Sequence, residues 1–438
     1  MSIEPTRQLD KPMFGFGYGR SFSLGRIGSA ADSFRGILDR YPGAVAGFSV
    51  FKLTKTATNS IRVRRTSDDA ELDIGFDANG DLDSTALLAF VNKDYNAYTS
   101  DFSSTEDLFE SNGTGAAAQS VGGVDDAYKF TTITGTGQMY ASVAPFSGKG
   151  GGNNFRIQAD VYLPSTNAEI DKVRIWTGYG SEGFIEVTAT DTWTSINQTL
   201  DVVSGGQLRF QAYDGNDLTP TTTQANVFYL KNIVVTQTTA DGAVTTWYDQ
   251  SGNGNDATNS TESEQPLVVS GGTLVEENGK AALDFDGVND HLDVGITLTS
   301  GFHTFYLHQS TKTSGFEYLF YNAADQIRLY DYLWRPFINS VNYPSGMPND
   351  GFDARYLWEF ARDDSANIRN YRNGSQDAFS SGVPIAGVDG APFTIDSIGA
   401  ISNTIQGSVQ EIIIFNSDQS TNRTGIEENI NSRFNIYT

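Results

Sequence analysis

Val244-Thr245-Thr246-Trp247-Tyr248-Asp249-Gln250-Ser251-Gly252-Asn253-Gly254-Asn255-Asp256-Ala257 shows in fourteen positions how the whole chain is built. A run of β-branched and aromatic residues gives way abruptly to Gly, Asn, Asp and Ser. The first group suits the pleated, half-buried surface of a strand, and the second adopts the turn conformations that end one. The same alternation recurs throughout: 45 glycines, with abundant Ser, Thr, Asn and Asp, separate short runs rich in Val, Ile, Phe and Tyr. Long amphipathic helical patterns are nearly absent. The expected fold class is all-β, built as sandwiches with a few short helices.

Working outward, Ala44–Leu53, Ser60–Arg65 and Glu71–Phe76 read as strands. A short helix is expected from Ala31 to Arg40, ended by Tyr41-Pro42-Gly43. Asp83-Ser84 offers a cap for a second helix over Ala86–Val91. From about Ala97 the composition shifts, and a block with strands at 155–162, 172–177, 183–189, 192–200 and 207–213 closes at Val227–Val235. Its length of about 140 residues suits one independent sandwich. After Gly242 the composition of the first strands returns, through Leu283-Asp284-Phe285-Asp286-Gly287 to the strand Gln410–Phe415. A final helix places Ile426, Ile430 and Phe434 on one face, with Ser417, Ser420 and Thr421 available as caps. No fixed-period repeat is visible. With 438 residues exceeding one ordinary core, the expected division is an arm at 1–35, a discontinuous sandwich at 36–96 and 240–438, and an inserted domain at 97–239.

The formal net charge of −24 argues against a nucleic-acid partner, since phosphate repels such a surface. The charge is uneven: eleven Lys/Arg against four Asp/Glu precede Thr66. One reading is a basic N-terminal segment docking on an acidic partner; the other is an incidental excess from Arg62, Arg64 and Arg65 in a strand. Residues Met13–Gly25 alternate aromatics with glycine, a pattern that buries no core alone but suits another subunit's groove. Phe14, Phe16, Tyr18, Arg20 and Phe22 are the candidate attachment residues, although an ordinary first strand has the same look. Cysteine is absent, no secretory h-region is expected after Met1, and no stretch is long enough to cross a membrane as a helix. A protein folded in a reducing cytoplasm yet composed for an exposed role fits a virion component.

Two motifs carry a resemblance. The first is Ala46-Gly47-Phe48-Ser49-Val50-Phe51-Lys52-Leu53, followed by Ile61–Asp69 and Asp73-Ile74-Gly75-Phe76; the second is Val244–Ala257. Together they resemble the opening half of the catalytic domain of fungal-type α-L-arabinofuranosidase B, a concanavalin A-like sandwich. They also resemble phage structural proteins in which only a short loop separates the pair; here the block 97–239 fills that place. The block itself looks like a jelly-roll carbohydrate-binding module, by Asp191-Thr192-Trp193-Thr194 and the closing Phe228–Val235. From Leu283 to the end the chain resembles laminin-G sandwiches. The resemblance implies a concanavalin A-like β-sandwich with a nested jelly roll. The enzyme family's vicinal cysteine pair has no counterpart here, and no position matches its nucleophile or acid/base.

Retaining glycoside hydrolysis needs two carboxylates about 5 Å apart, one ionised and one kept protonated. The spacing Glu-x-Asp-x-x-Glu does not occur: Glu71-Leu72-Asp73 begins it, but Phe76 stands at the last position. Glu359 and Glu411 are the best isolated acids and read as ordinary outward-facing strand residues. His291, His303 and His308 lack metal-ligand spacing. Asp77, Asn79, Asp81 and Asp83 form the weak calcium candidate, with Leu82 and Leu88 where an EF-hand has its glycine and glutamate, so a solvated Asx turn is favoured. No other cofactor is expected.

Pyranose rings present an apolar face that stacks on Trp or Tyr while polar side chains pair with hydroxyls. The densest aromatic cluster comprises Tyr318, Phe320, Tyr321, Tyr330, Tyr332, Trp334 and Phe337. By period two Tyr330, Tyr332 and Trp334 share one strand face, with Arg328 on the same side. In the inserted block Trp176 and Tyr179 precede a Gly-rich loop, and Tyr213 ends a strand. These seven residues (Arg328, Tyr330, Tyr332, Trp334, Trp176, Tyr179, Tyr213) are the candidate carbohydrate contacts, with core packing as the competing role. Trp193 and Trp247 are assigned to core. The expectation is a non-enzymatic virion surface subunit, such as a tail fibre, head fibre or spike. It would be attached to other virion proteins through its arm, be homo-oligomeric, and present a sugar-binding surface to host glycans without entering a membrane. An arabinofuranosidase-like glycosidase and a purely architectural decoration protein are the alternatives.

Overall fold

The computed structural model describes residues 35–437 except 101, 103–107, 147–153, 179–183, 202–205, 299–300, 313–314, 324–325, 331–332, 339–340, 343–354, 366 and 381–392. The attachment candidates Phe14, Phe16, Tyr18, Arg20 and Phe22, together with Tyr179 and Tyr332, lie outside the described residues.

The fold is all-β, in antiparallel sheets with a few short helices. One sheet system contains the strands before residue 80 and those after 240 except Glu276–Glu277 and Lys280–Ala281, which pair with each other. Its central strand, Phe302–Ser310, is paired on one side with Gln406–Phe415 and on the other with Arg355–Arg362. Ile368–Arg372 and Ser375–Ser380 extend that layer, while Ala44–Ser49 and Leu283–Asp286 share the far edge of Gln406–Phe415. The other layer runs Glu71–Gly75, Asn59–Arg65, Gly242–Trp247, Ala257–Thr258, His291–Leu298, Phe393–Gly399, Phe316–Tyr321. Leu267–Ser270 bonds to both layers and closes the system. Phe48, Trp247, Phe285, Phe305, Tyr306 and Ile412 to Phe415 belong to one buried apolar core.

The strands form where the β-branched runs predict, and the turns are set by local chemistry. Asn278-Gly279 and Asn373-Gly374 both take positive φ, and each joins two strands through a two-residue loop. That is the type I′ hairpin, whose twist matches the strands it joins and which Asn-Gly tolerates best. Asp83 caps the helix Ser84–Val91 by accepting from the Ala86 N–H at 3.0 Å. The first helix is shorter than expected, at Ile37–Arg40. The strand expected over Ala44–Leu53 ends at Ser49, where the chain turns through an isolated bridge at Phe51.

A second sheet system holds the strands between Tyr95 and Gln237. Its six-stranded sheet centres on Asn154–Tyr162 and Val227–Gln237. Its five-stranded sheet runs Phe184–Val187, Lys172–Trp176, Leu208–Tyr213, Tyr140–Val143, Phe109–Ser111. Phe130 stacks on Phe228 at 4.9 Å, and Phe155, Ile157, Ile175 and Phe210 complete a separate core. Trp193 is not part of it. It sits half-buried at the start of the edge strand Trp193–Asp201, against Tyr162 at 5.5 Å, with its indole N–H donating to the Val121 carbonyl. Trp247 is fully buried, as expected.

The helix Arg423–Phe434 covers one face of the Phe302–Ser310 layer and buries Ile426, Ile430 and Phe434. None of the expected caps is used: its N-cap is Asn422, without a side-chain cap bond, because Ser420 turns back to Asp418.

Candidate functional site

In the five-stranded sheet, register alone decides which side chains meet, because directly opposed residues in an antiparallel pair point to the same face. Trp176 opposes Arg209, Arg174 opposes Gln211 and Lys172 opposes Tyr213. Arg209 in turn opposes Ser142, and Gln211 opposes Tyr140. Glu186 faces Arg174 on one flank, and Phe109 faces Ser142 on the other. The intervening residues, Val173, Ile175, Phe210, Ala212 and Ala141, enter the core. The outer face thus gathers Phe109, Tyr140, Trp176 and Tyr213 with Lys172, Arg174 and Arg209.

The cations are held against the rings. The Arg209 guanidinium lies 4.5 Å from the Tyr140 ring centroid and 5.1 Å from that of Trp176. Arg174 lies 4.2 Å over the Tyr213 ring and donates from Nη1 to its hydroxyl at 3.2 Å. Its Nε and Nη2 reach Glu186 Oε1 at 3.1 and 2.5 Å, and Lys172 Nζ approaches the same carboxylate at 3.6 Å. The Arg174 hydrogen bonds hold the Glu186 carboxyl below its ordinary range. Burial raises the Tyr213 hydroxyl, which stays neutral. Phe109 is 63 % exposed on the edge strand, Tyr140 and Trp176 are half-buried, and Tyr213 is covered. Rings for stacking beside planar N–H donors are what a sugar's apolar face and hydroxyl rim require.

Of the sequence candidates, Trp176 and Tyr213 fall on this face, and Tyr213 serves beneath Arg174 rather than as an open platform. Arg174 was within reach of the sequence, since it sits two residues before Trp176 on a predicted strand. Tyr140 and Phe109 were not, because their strands of four and three residues carry too short a pattern. The other cluster changes shape. One strand, Gln326–Tyr330, ends at Tyr330 and a new one, Leu333–Ile338, begins at Leu333, with Leu329 opposite Trp334 and Tyr330 opposite Leu333. Arg328 and Tyr330 therefore lie on one arm of a hairpin and Trp334 on the other, rather than on a single strand.

The acids also differ from expectation. Glu359 and Glu411 do not face outward; both are buried. Glu411 accepts from Arg433 Nη2 at 2.6 Å and from the Ser49 hydroxyl at 2.7 Å. Glu359 lies 3.1 Å from His303 Nε2 and beside the carboxyl of Glu427, which also pairs with Arg423. Burial raises the carboxyls of both Glu359 and Glu427 and lowers the His303 imidazole. Glu317 takes His308 Nε2 at 3.1 Å and the Ser310 hydroxyl at 2.7 Å. The Glu359 and Glu427 carboxyls are enclosed under the last helix, where no sugar reaches them. A cleft of about 510 Å³ does open beside Arg62, Arg64 and Thr245. Its four acids, Asp69, Glu71, Glu262 and Asp293, have side chains 60 %, 45 %, 66 % and 69 % exposed; Asp69 and Glu262 pair with Arg64, Glu71 lies 4.0 Å from Arg62, and Asp293 lies 3.6 Å from His291 Nε2.

In the Asp77 loop each acid is engaged within the protein. Asp77 accepts from the Asn79 and Asp81 backbone, Asp81 pairs with Lys280 at 2.8 Å, and Asp83 caps its helix. Among the described residues no group of three or more His, Asp or Glu converges as a metal site.

No protein-family model matches the chain, and no curated protein matches it. Among solved structures it is similar to Trypanosoma rangeli sialidase, at 10% identity and a TM-score of 0.31, over 74% of this chain and 52% of that one. The chain thus spans about half the length of that enzyme. It is also similar to a Bacteroides ovatus protein assigned to carbohydrate binding, at 14% identity and a TM-score of 0.26, over 69% and 79% of the two chains. A tandem CBM22 domain of Paenibacillus barcinonensis Xyn10C matches at 12% identity and a TM-score of 0.25, over 73% and 97%. The assignment of the fold rests on the sheets themselves.

Proposed function

We propose that the protein is a non-catalytic, sugar-binding sandwich subunit of a virus particle, of the kind that forms a phage tail fibre, head fibre or spike. The observation that carries the sugar-binding part is the outer face of the five-stranded sheet. There Tyr140 and Trp176 flank Arg209, and Arg174 overlies Tyr213. The non-catalytic part is supported by the acids. The Glu359–Glu427 carboxyl pair is enclosed beneath a helix, and the acids of the open cleft are exposed, three of them (Asp69, Glu71 and Glu262) beside arginine. The virion setting is supported by the absence of cysteine and by a strongly acidic body behind a basic, Gly/aromatic N-terminal segment. A single exposed face gives weak affinity, so many copies or a homo-oligomer would supply the avidity needed for host attachment.

A glycan array tests the reading. Wild-type protein is expected to bind a defined set of glycans, and Trp176→Ala to lose that binding while unfolding at the same temperature. Binding to no glycan would leave the architectural alternative; release of sugar from arabinan or a chromogenic furanoside would make the protein an enzyme.

A further inference from the structure

We infer that the outer face of the five-stranded sheet takes an acidic saccharide, and that Arg209 pairs with the sugar's carboxylate. The inference rests on the sugar-binding reading above and sharpens its ligand class.

The argument begins with charge. The segment 97–239 contains seven Lys/Arg and fifteen Asp/Glu, yet three of those seven cations, Lys172, Arg174 and Arg209, share this one face. Only Glu186 opposes them in the register, and it is shared between Lys172 and Arg174. An acidic segment that concentrates its cations on one surface attracts anions there and repels them elsewhere.

Arg209 is the cation left over. Among the described residues it forms no ion pair; its Nε–H donates to Gln207 Oε1 at 3.2 Å, and its plane rests against Tyr140 and Trp176. Rings against the flat cation fix its plane and leave the terminal N–H groups at its edge. Two parallel N–H donors in one plane match the two oxygens of a carboxylate, a geometry a lysine does not reproduce. The same rings offer stacking surface for the sugar that bears the acid. A neutral glycan would gain the stacking but leave a guanidinium without its counter-charge.

The test uses the full chain and two probes, polygalacturonate and its carboxyl-reduced, neutral counterpart, read by isothermal titration calorimetry and affinity electrophoresis. Wild type is expected to bind the acidic polymer, to bind the reduced one at least about tenfold more weakly, and to lose affinity as salt rises. Arg209→Gln should lower affinity for the acidic polymer by about tenfold or more without changing affinity for the reduced one, and Arg209→Lys should recover only part of the loss. Equal binding of both polymers, or an Arg209→Gln variant that binds as wild type, overturns the carboxylate assignment. If a neutral glycan binds and Trp176→Ala abolishes it while Arg209→Gln does not, the sugar site stands and this inference falls. If neither probe nor any array glycan binds, both fall. Unchanged thermal unfolding of the variants separates lost binding from lost fold.

Discussion

At the scale of single residues, Asp249 explains why the Val244–Ala257 stretch is so specific. Its carboxylate accepts from the backbone N–H groups of Gly47 and Ser251 and from the Ser251 hydroxyl, all within 2.9 Å, and from Asn255 N–H at 3.1 Å. Gln250 completes the joint: its Oε1 accepts from Leu53 N–H, and its Nε2 donates to the carbonyls of Ser49 and Phe51. The two motifs that carry the resemblance, roughly two hundred positions apart in the chain, are therefore stapled to each other by these side chains. Asp249→Ala should destabilise the protein by about 2–4 kcal/mol in urea unfolding, because several backbone donors lose their acceptor at once. Asp249→Asn, which keeps one acceptor oxygen, should cost less. Both motifs were legible in the sequence. That Glu359 and Glu411 lie buried was not, since strand period says which residues share a face but not what later covers it.

What covers them is an element, the helix Arg423–Phe434. Its apolar stripe was readable from Ile426, Ile430 and Phe434, but Glu427, buried in the same stripe, breaks the pattern. The helix is fastened at two polar points, Glu427 and Arg423 against Glu359, and Arg433 against Glu411. Burial lifts Glu427 to about 8 from an ordinary value of 4.5, the Glu359 neighbour adding to the effect. A carboxyl raised on folding stabilises fully below its unfolded value, and that contribution is lost as pH rises through the folded value. His303, lowered by burial, acts oppositely and costs stability as pH falls below its ordinary value of 6.5. Between about pH 5 and 8 the wild type should therefore become easier to unfold relative to Glu427→Gln, whose side chain is neutral throughout. Urea midpoints measured for both across that range check the sign: a difference that stays constant with pH would remove the account of Glu427 as a carboxyl raised by burial under the helix.

For the whole molecule, composition and alternation were enough for an all-β fold, because short β-branched runs between Gly, Asn and Asp leave few other ways to bury 28 Phe and 20 Tyr. The strands of the second sheet system were half-visible. Asn154–Tyr162, Lys172–Trp176 and Leu208–Tyr213 are long enough to show period two, whereas Phe109–Ser111 and Tyr140–Val143 are placed by their neighbours. The candidate face shares that division, with Trp176 and Tyr213 foreseen, Arg174 readable from its place two residues before Trp176, and Tyr140 and Arg209 brought to them by cross-strand register. The central claim is that this assembled face, and no pair of acids, meets the sugar. A crystal structure of the protein soaked with an oligosaccharide that it binds tests this most directly. An intact sugar lying across Trp176, Tyr140 and Arg209 is the predicted result; an oligosaccharide bound at another surface, or found cleaved between two carboxyl groups, would contradict it.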